Sequence, residues 1–155
     1  CGGYPQNVTP IEQFDINSYL GKWYEIVRLD HSFERGLDRV TAEYTLLEDG
    51  KIQVINRGYS TVKNEWKEAV GKAFLAGEND EGFLKVSFFG PFYSSYVIFG
   101  LDTENYQYAY VTGPNYKYLW LLSRTPEVDQ EILERFIETA KSKGFDTENL
   151  IYVKH

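Results

Sequence analysis

Val40, Ala42, Tyr44 and Leu46 alternate with Thr41, Glu43 and Thr45 along the chain, the two-residue period of a strand with one buried face. The pattern recurs where Ile52 and Val54 alternate with Lys51 and Gln53, and where Leu84, Val86 and Phe88 alternate with Lys85 and Ser87. Turn-forming runs separate these segments: Glu48-Asp49-Gly50, Gly77 to Gly82, Gly90-Pro91, Asp102 to Asn105 and Gly113-Pro114-Asn115, with a weaker break between Ser60 and Asn64. The spacing predicts eight strands, at about 22–30, 39–47, 51–59, 66–76, 83–89, 94–101, 107–112 and 117–124.

Over 126–143 the period lengthens. Val128, Ile132, Leu133, Phe136, Ile137 and Ala140 fall on one stripe of a helix, with charged and amide residues opposite. Thr125-Pro126 predicts an N-cap and first-turn proline, and Lys141 and Lys143 precede Gly144 at the other end. One helix with one apolar face packs on an outer wall of a sheet. Leu150 to Val153 predicts a short strand returning to that sheet.

Every link between the eight strands is hairpin-sized, which predicts an all-β, up-and-down antiparallel sheet. Closure removes its two exposed edges, and an eight-stranded barrel has room for inward side chains plus one small ligand.

The 155 residues fit one domain, placed at 16–155 behind a turn-rich tether at 1–15. A net charge of −7 argues against a nucleic-acid partner, which demands clustered bases. No apolar run approaches the roughly 18 residues of a membrane-spanning helix. Aromatic residues make up 17% of the chain, a composition suited to strands and to the walls of an apolar pocket. The single cysteine, Cys1, permits no internal disulfide. It is either an inconsequential residue at a trimmed end or the acceptor of a lipid anchor after signal removal.

Gly21-Lys22-Trp23-Tyr24-Glu25 opens the first strand after a candidate helical turn at Ile16 to Leu20, and Leu121-Leu122-Ser123-Arg124-Thr125-Pro126 precedes the helix. The first resembles the Gly-x-Trp signature of the lipocalin family, built here on Gly21 and Trp23, and the second resembles that family's last-strand arginine. Phe33 to Leu37 and Val86 to Phe92 are similar to bacterial outer-membrane members. The expected Thr-Asp-Tyr turn departs, standing here as Leu101-Asp102-Thr103 with the next tyrosine at Tyr106. The resemblance implies that Arg124 packs across Trp23 at the closed end of the barrel. It also implies that Cys1 is lipidated, holding the protein to the outer membrane with its domain facing the periplasm.

Strand parity predicts an inward set of Ala42, Tyr44, Val54, Asn56, Val86, Phe88, Tyr96, Ile98, Tyr118 and Trp120. For 66–76 two rival inward sets stand open, Trp66, Val70 and Phe74 or Ala69, Gly71 and Ala73. The inward face carries no carboxylate on this reading. The mouth lies opposite Trp23, at the links near 31–38, 60–65, 90–93 and 113–116. Aromatics there (Phe33, Phe89, Phe92, Tyr93) suit lid contacts, a docking patch or turn packing. Arg35 and Arg39 bracket the first mouth link and could meet an anionic head group, against the opposing field of Asp30, Glu34 and Asp38.

No metal site is expected from His31 and His155, no cofactor is expected, and no catalytic motif occurs. Ser94-Ser95 reads as a turn with no base beside it. The expected function is a lipid-binding lipoprotein that stores or transports fatty acids or lysophospholipids, as a monomer or a homodimer. The alternatives are a lipid-modifying enzyme on the same barrel, which needs titratable groups in the pocket, and a structural envelope protein with a packed interior.

Overall fold

The computed structural model describes residues 3–31, 34–77, 80–89 and 91–155, with the Phe89 side chain excluded. The elements run α1 (Ile16–Tyr19), β1 (Gly21–Leu29), β2 (Leu37–Leu46), β3 (Ile52–Ser60), β4 (Glu65–Leu75), β5 (Phe83–Phe89), β6 (Phe92–Leu101), β7 (Tyr108–Thr112), β8 (Leu119–Ser123), α2 (Gln130–Ser142) and β9 (Leu150–Tyr152). A single 3-10 turn at Thr147–Asn149 leads into β9. Each strand pairs antiparallel with the next from β2 to β8, then β8 pairs with β1 and β1 with β2, closing an eight-stranded up-and-down barrel.

The seam between β1 and β2 has two halves. Gly21 to Tyr24 pair directly with Tyr44 to Thr41. Above them, Val27 to Leu29 pair instead with Tyr152 to Leu150 of β9. The Arg39 amide then reaches the Lys154 carbonyl (2.7 Å), tying β2 to the same segment.

Two apolar cores result. The outer one buries Val97, Phe99, Tyr110, Leu119 and Leu121 of the wall beneath Phe136 and Ala140 of α2. The inner one fills the barrel around Trp23, Tyr44, Val54, Ile98 and Leu122.

Helix α2 begins later than expected. Its N-cap is Asp129 in extended geometry, not Thr125, and Pro126 lies outside the helix. The Thr125 hydroxyl donates to the Glu127 carbonyl (2.6 Å) and its amide to Ser123 Oγ (3.1 Å), which holds 123–127 in a bend that delays the first turn. The C-terminus is as read: Gly144 has φ +101, and the Phe145 amide returns to the Ala140 carbonyl (3.1 Å). Strand β6 starts early, at Phe92, so Ser94 and Ser95 lie within it rather than in a turn. Lys85 Nζ donates to Ser95 Oγ (3.2 Å), so a basic group does stand beside it. Lys85 and Ser95 pair between residues of the inward parity, placing both on the outer wall.

Candidate ligand site

The closed end of the barrel is built on Trp23, which is fully buried. Arg124 lays its guanidinium 3.9 Å from the indole centroid. Its three nitrogens donate to the carbonyls of Tyr106 (3.1 Å), Lys22 (3.0 Å) and Ser18 (2.8 Å). The Trp23 indole N–H donates to the Tyr19 carbonyl (2.8 Å) at the end of α1. One cation thus joins α1, β1, the turn after β6 and the end of β8, where strand-end carbonyls would otherwise face apolar rings.

Above this plug three phenols meet. Tyr96 OH is 2.6 Å from Tyr19 OH and 2.8 Å from Tyr44 OH. Burial holds all three hydroxyls well above the usual phenol range, so they stay protonated across ordinary pH.

Register decides the wall opposite. Asn56 faces Ala42 and Ala69, Val54 faces Tyr44 and Gly71, and Ile52 faces Ala73. Ala69, Gly71 and Ala73 therefore carry the inward parity of β4, and Trp66, Val70 and Phe74 are exposed on the outside. A Cβ on Gly71 would stand 2.5 Å from the Ser87 carbonyl and 2.7 Å from the Phe88 ring, so glycine lets β4 and β5 approach there. Ala42, Tyr44, Val54, Val86, Phe88, Tyr96, Ile98 and Trp120 all belong to the inner core. Tyr118 stacks on Trp120 (6.1 Å between centroids) just before β8. Ile52, Leu84, Ala109, Val111 and Leu122 complete the lining.

The expectation of an interior without carboxylates is overturned. Glu25 and Arg28 are buried on β1, and Arg28 Nη1 lies 3.5 Å from Glu25 Oε1. Glu34 Oε1 accepts from His31 Nε2 (2.7 Å) and from the Trp120 indole N–H (2.9 Å). Arg28 Nη2 donates to the Glu34 carbonyl (2.9 Å), and Arg28 Nε has no hydrogen-bond partner among the described residues. Burial, then the adjacent Glu34 charge, push the Glu25 carboxyl well above the usual range against the pull of Arg28. Burial acts to raise Glu34 as well, but hydrogen bonds from His31 and Glu25, with help from Trp120, outweigh it and hold that carboxyl down to about 2. The cluster thus sets Glu25, held toward its protonated form, beside Glu34, His31 and the Arg28 guanidinium in the mouth half of the barrel.

Glu25 was within reach of the sequence, since it shares parity with Trp23. Arg28 was not. A register shift between Glu25 and Val27 brings Arg28 opposite Trp120, on the inward side that strict alternation reserves for Val27. Arg35 and Arg39 take other positions. Arg35 Nε pairs with Asp30 (2.9 Å) at the exposed rim, and Arg39 lies 4.7 Å over the Tyr59 ring beside Asp38. Phe33, the Phe89 side chain and Cys1 lie outside the described residues. Among the described residues no cluster of potential metal ligands forms.

Comparison with known proteins follows the same lines. A family model described as a lipocalin-like domain matches residues 14–155. The outer membrane lipoprotein Blc of Vibrio cholerae is 63% identical over 154 residues, covering 99% of this chain and 90% of the relative. Blc of Escherichia coli K12 is 47% identical over 150 residues (97% and 84%). Mouse apolipoprotein D is 32% identical over 146 residues (90% and 76%). Among solved structures, insecticyanin from the tobacco hornworm superposes with a TM-score of 0.78 at 20% identity, covering 100% of this chain and 88% of that one, a likeness of fold alone. Plug, barrel and sequence agree: the chain belongs to the lipocalin family.

Proposed function

We propose that this protein is an outer-membrane lipoprotein whose barrel stores or carries single-chain amphiphilic lipids, fatty acids or lysophospholipids, without chemical change. The observation that carries the reading is the polarity gradient of the interior. Apolar and aromatic walls rise from the Trp23 plug, and the charged cluster of Glu25, Arg28, His31 and Glu34 stands toward the mouth. An acyl chain suits the walls, and a polar head suits the cluster. Head-group duty falls first to Arg28 and the uncommitted donor at its Nε, with Arg35 and Arg39 as a second ring at the rim. The sequence contains one cysteine, so anchorage through a lipidated residue falls to Cys1. The segment expected to be a tether over 1–15 is largely docked: Val8 is buried in the outer core and Phe14 in the inner one, and the Ile11 amide donates to the Ile98 carbonyl (3.0 Å).

The same cluster supplies the titratable groups that a lipid-modifying reading requires. One experiment separates the readings. Lipids extracted from the native purified protein, and a lysophospholipid incubated with it, are identified by mass spectrometry. Intact single-chain lipid in both samples is the expected result. Conversion of the lysophospholipid to free fatty acid favours catalysis, and absence of any lipid favours a packed structural interior. In a titration against chains of increasing length, followed by Trp120 quenching, affinity should climb by about 0.8 kcal/mol per methylene until the tube is full.

A further inference from the structure

The segment before α1 is pinned to the barrel at every stage of its path. The Phe14 amide donates to the Asp80 carbonyl (2.6 Å), and the Ile11 carbonyl accepts from the Gly82 amide (2.9 Å). Further from the floor, the Asn7 amide donates to the Tyr116 hydroxyl (3.2 Å) and the Asn7 side chain to the Lys143 carbonyl at the end of α2 (3.2 Å). The chain then turns, the Val8 amide donating to the Pro5 carbonyl (3.1 Å), and Tyr4 meets the outward Phe83 ring of β5 edge-on (5.2 Å between centroids). Gly3 follows directly, and two extended peptide links span only about 7 Å. Cys1 is therefore confined to the outer wall at β5, where a free tether of that length would wander about 20 Å.

The wall beside Tyr4 is apolar and sparsely charged. The outward positions of β5 and β6 carry one charge, Lys85. On β4 the outward Glu68 is paired with Arg57 of β3 (2.6 Å), which leaves Lys72. Phe74 (36% exposed) packs edge-on against Tyr93 of β6, and Val70 (51%) continues the stripe. The bordering acids lie at its two ends, Glu65 at the rim and Asp80 with Glu81 in the floor link. Charge does not choose what covers this wall. The position of the anchor does.

We propose that the outer wall of β4 to β6 lies against the bilayer that holds the Cys1 anchor, with Tyr4, Phe74 and Tyr93 at the lipid–water boundary and Lys72 and Lys85 extended toward lipid phosphates. The inference rests on the reading that Cys1 carries the lipid. Tyrosine offers that boundary an apolar ring and a polar tip, and lysine lays its stem on apolar surface while its ammonium stays in water. Acyl chains on Cys1 must enter a bilayer within two residues of the docked segment, so a second copy of the chain on this wall would compete with that bilayer for the same space. The barrel then lies on its side, and both the Trp23 floor and the mouth stay clear of the lipid surface.

The test couples the full chain through Cys1, its one cysteine, to a maleimide lipid in vesicles of phosphatidylcholine and phosphatidylglycerol, and reads the acetylation rate of each lysine by mass spectrometry. Relative to vesicle-free protein, Lys72 and Lys85 should label severalfold more slowly. Lys22, on β1 four strands away in either direction, and Lys51 at the floor should label at unchanged rates. Inserting about ten Gly and Ser residues between Gly2 and Gly3 should keep the attachment and relieve the protection, since the anchor no longer fixes the wall. Uniform labelling of the coupled protein, or protection that survives the insertion, overturns the proposal. Protection of Lys72 and Lys85 that grows with protein concentration in vesicle-free buffer assigns the wall to a second copy and overturns it equally. The mass of the N-terminal peptide from cell envelopes tests the anchor separately. An unmodified Cys1 overturns the anchor reading and this proposal with it, whereas an acylated Cys1 with uniform lysine labelling overturns this proposal alone.

Discussion

Arg124 stacks 3.9 Å above Trp23 although 101 positions separate them, and its guanidinium donates to carbonyls of three other segments. Both the stack and the fork depend on a planar group. Arg124→Ala should lose about 2–4 kcal/mol, from a cavity and three stranded carbonyls, and Trp23→Ala about 3–5. Arg124→Lys should recover less than half, since an ammonium cannot span three acceptors and stack together. Denaturant unfolding checks the order. Ligand affinity measured where the variants stay folded should change little.

The interior acids should set opposing limbs of the pH–stability profile. Glu34 has its carboxyl lowered to about 2, so its contribution is present above the unfolded value near 4.5 and is lost as pH falls toward 2. Glu25 is raised, so the folded state holds a proton the unfolded state releases, and stability declines as pH climbs from about 4.5 toward the folded value. Glu34→Gln should flatten the acid limb. Glu25→Gln should flatten the decline above it and melt higher than wild type at pH 8. Melting temperatures from pH 3 to 9 test both, and a Glu25→Gln profile parallel to wild type would contradict the assignment.

Tyr96 is the shared member of the phenol chain. Tyr96→Phe strands two buried hydroxyls at once and should cost about 2–4 kcal/mol. Tyr19→Phe and Tyr44→Phe each leave one hydrogen bond intact and should cost about half as much. A double-mutant cycle on Tyr19 and Tyr96 reads the coupling directly.

Gly71 should tolerate nothing larger. Gly71→Ala drives a methyl into the Ser87 carbonyl and the Phe88 ring, and overpacking of this kind costs about 1–3 kcal/mol. Because Phe88 lines the interior, the maximum chain length accepted should shorten as well, visible in a length series.

The barrel was legible because alternation on β2, β3 and β5 has one buried face, and the plug because Trp23 and Arg124 stand in recognisable local frames. The helix stripe was legible too, yet its start was not, since the bend at 123–127 rests on side-chain hydrogen bonds that compete with capping. The charged cluster was hidden for two reasons. A register shift on β1 moves Arg28 inward, and His31 and Glu34 belong to a link whose path is fixed by the indole of Trp120, 86 residues beyond Glu34. Both rival faces for 66–76, one of large apolar side chains and one of small residues, were chemically plausible inward sets, and pairing with β3 chose between them.

The divided seam between β1 and β2 bears on the order of folding. Its mouth half is completed by Leu150 to Tyr152, and the Lys154 carbonyl pins the edge of β2. These pairings join residue 27 to residue 152, so loop-closure entropy opposes them more than any hairpin in the sheet. The wall should therefore zip up from β2 to β8 while the seam remains parted at the mouth, and docking of β9 becomes the slow kinetic phase. Removing residues 150–155 would leave a slit running down from the rim, a barrel with most of its secondary structure but a leaking side.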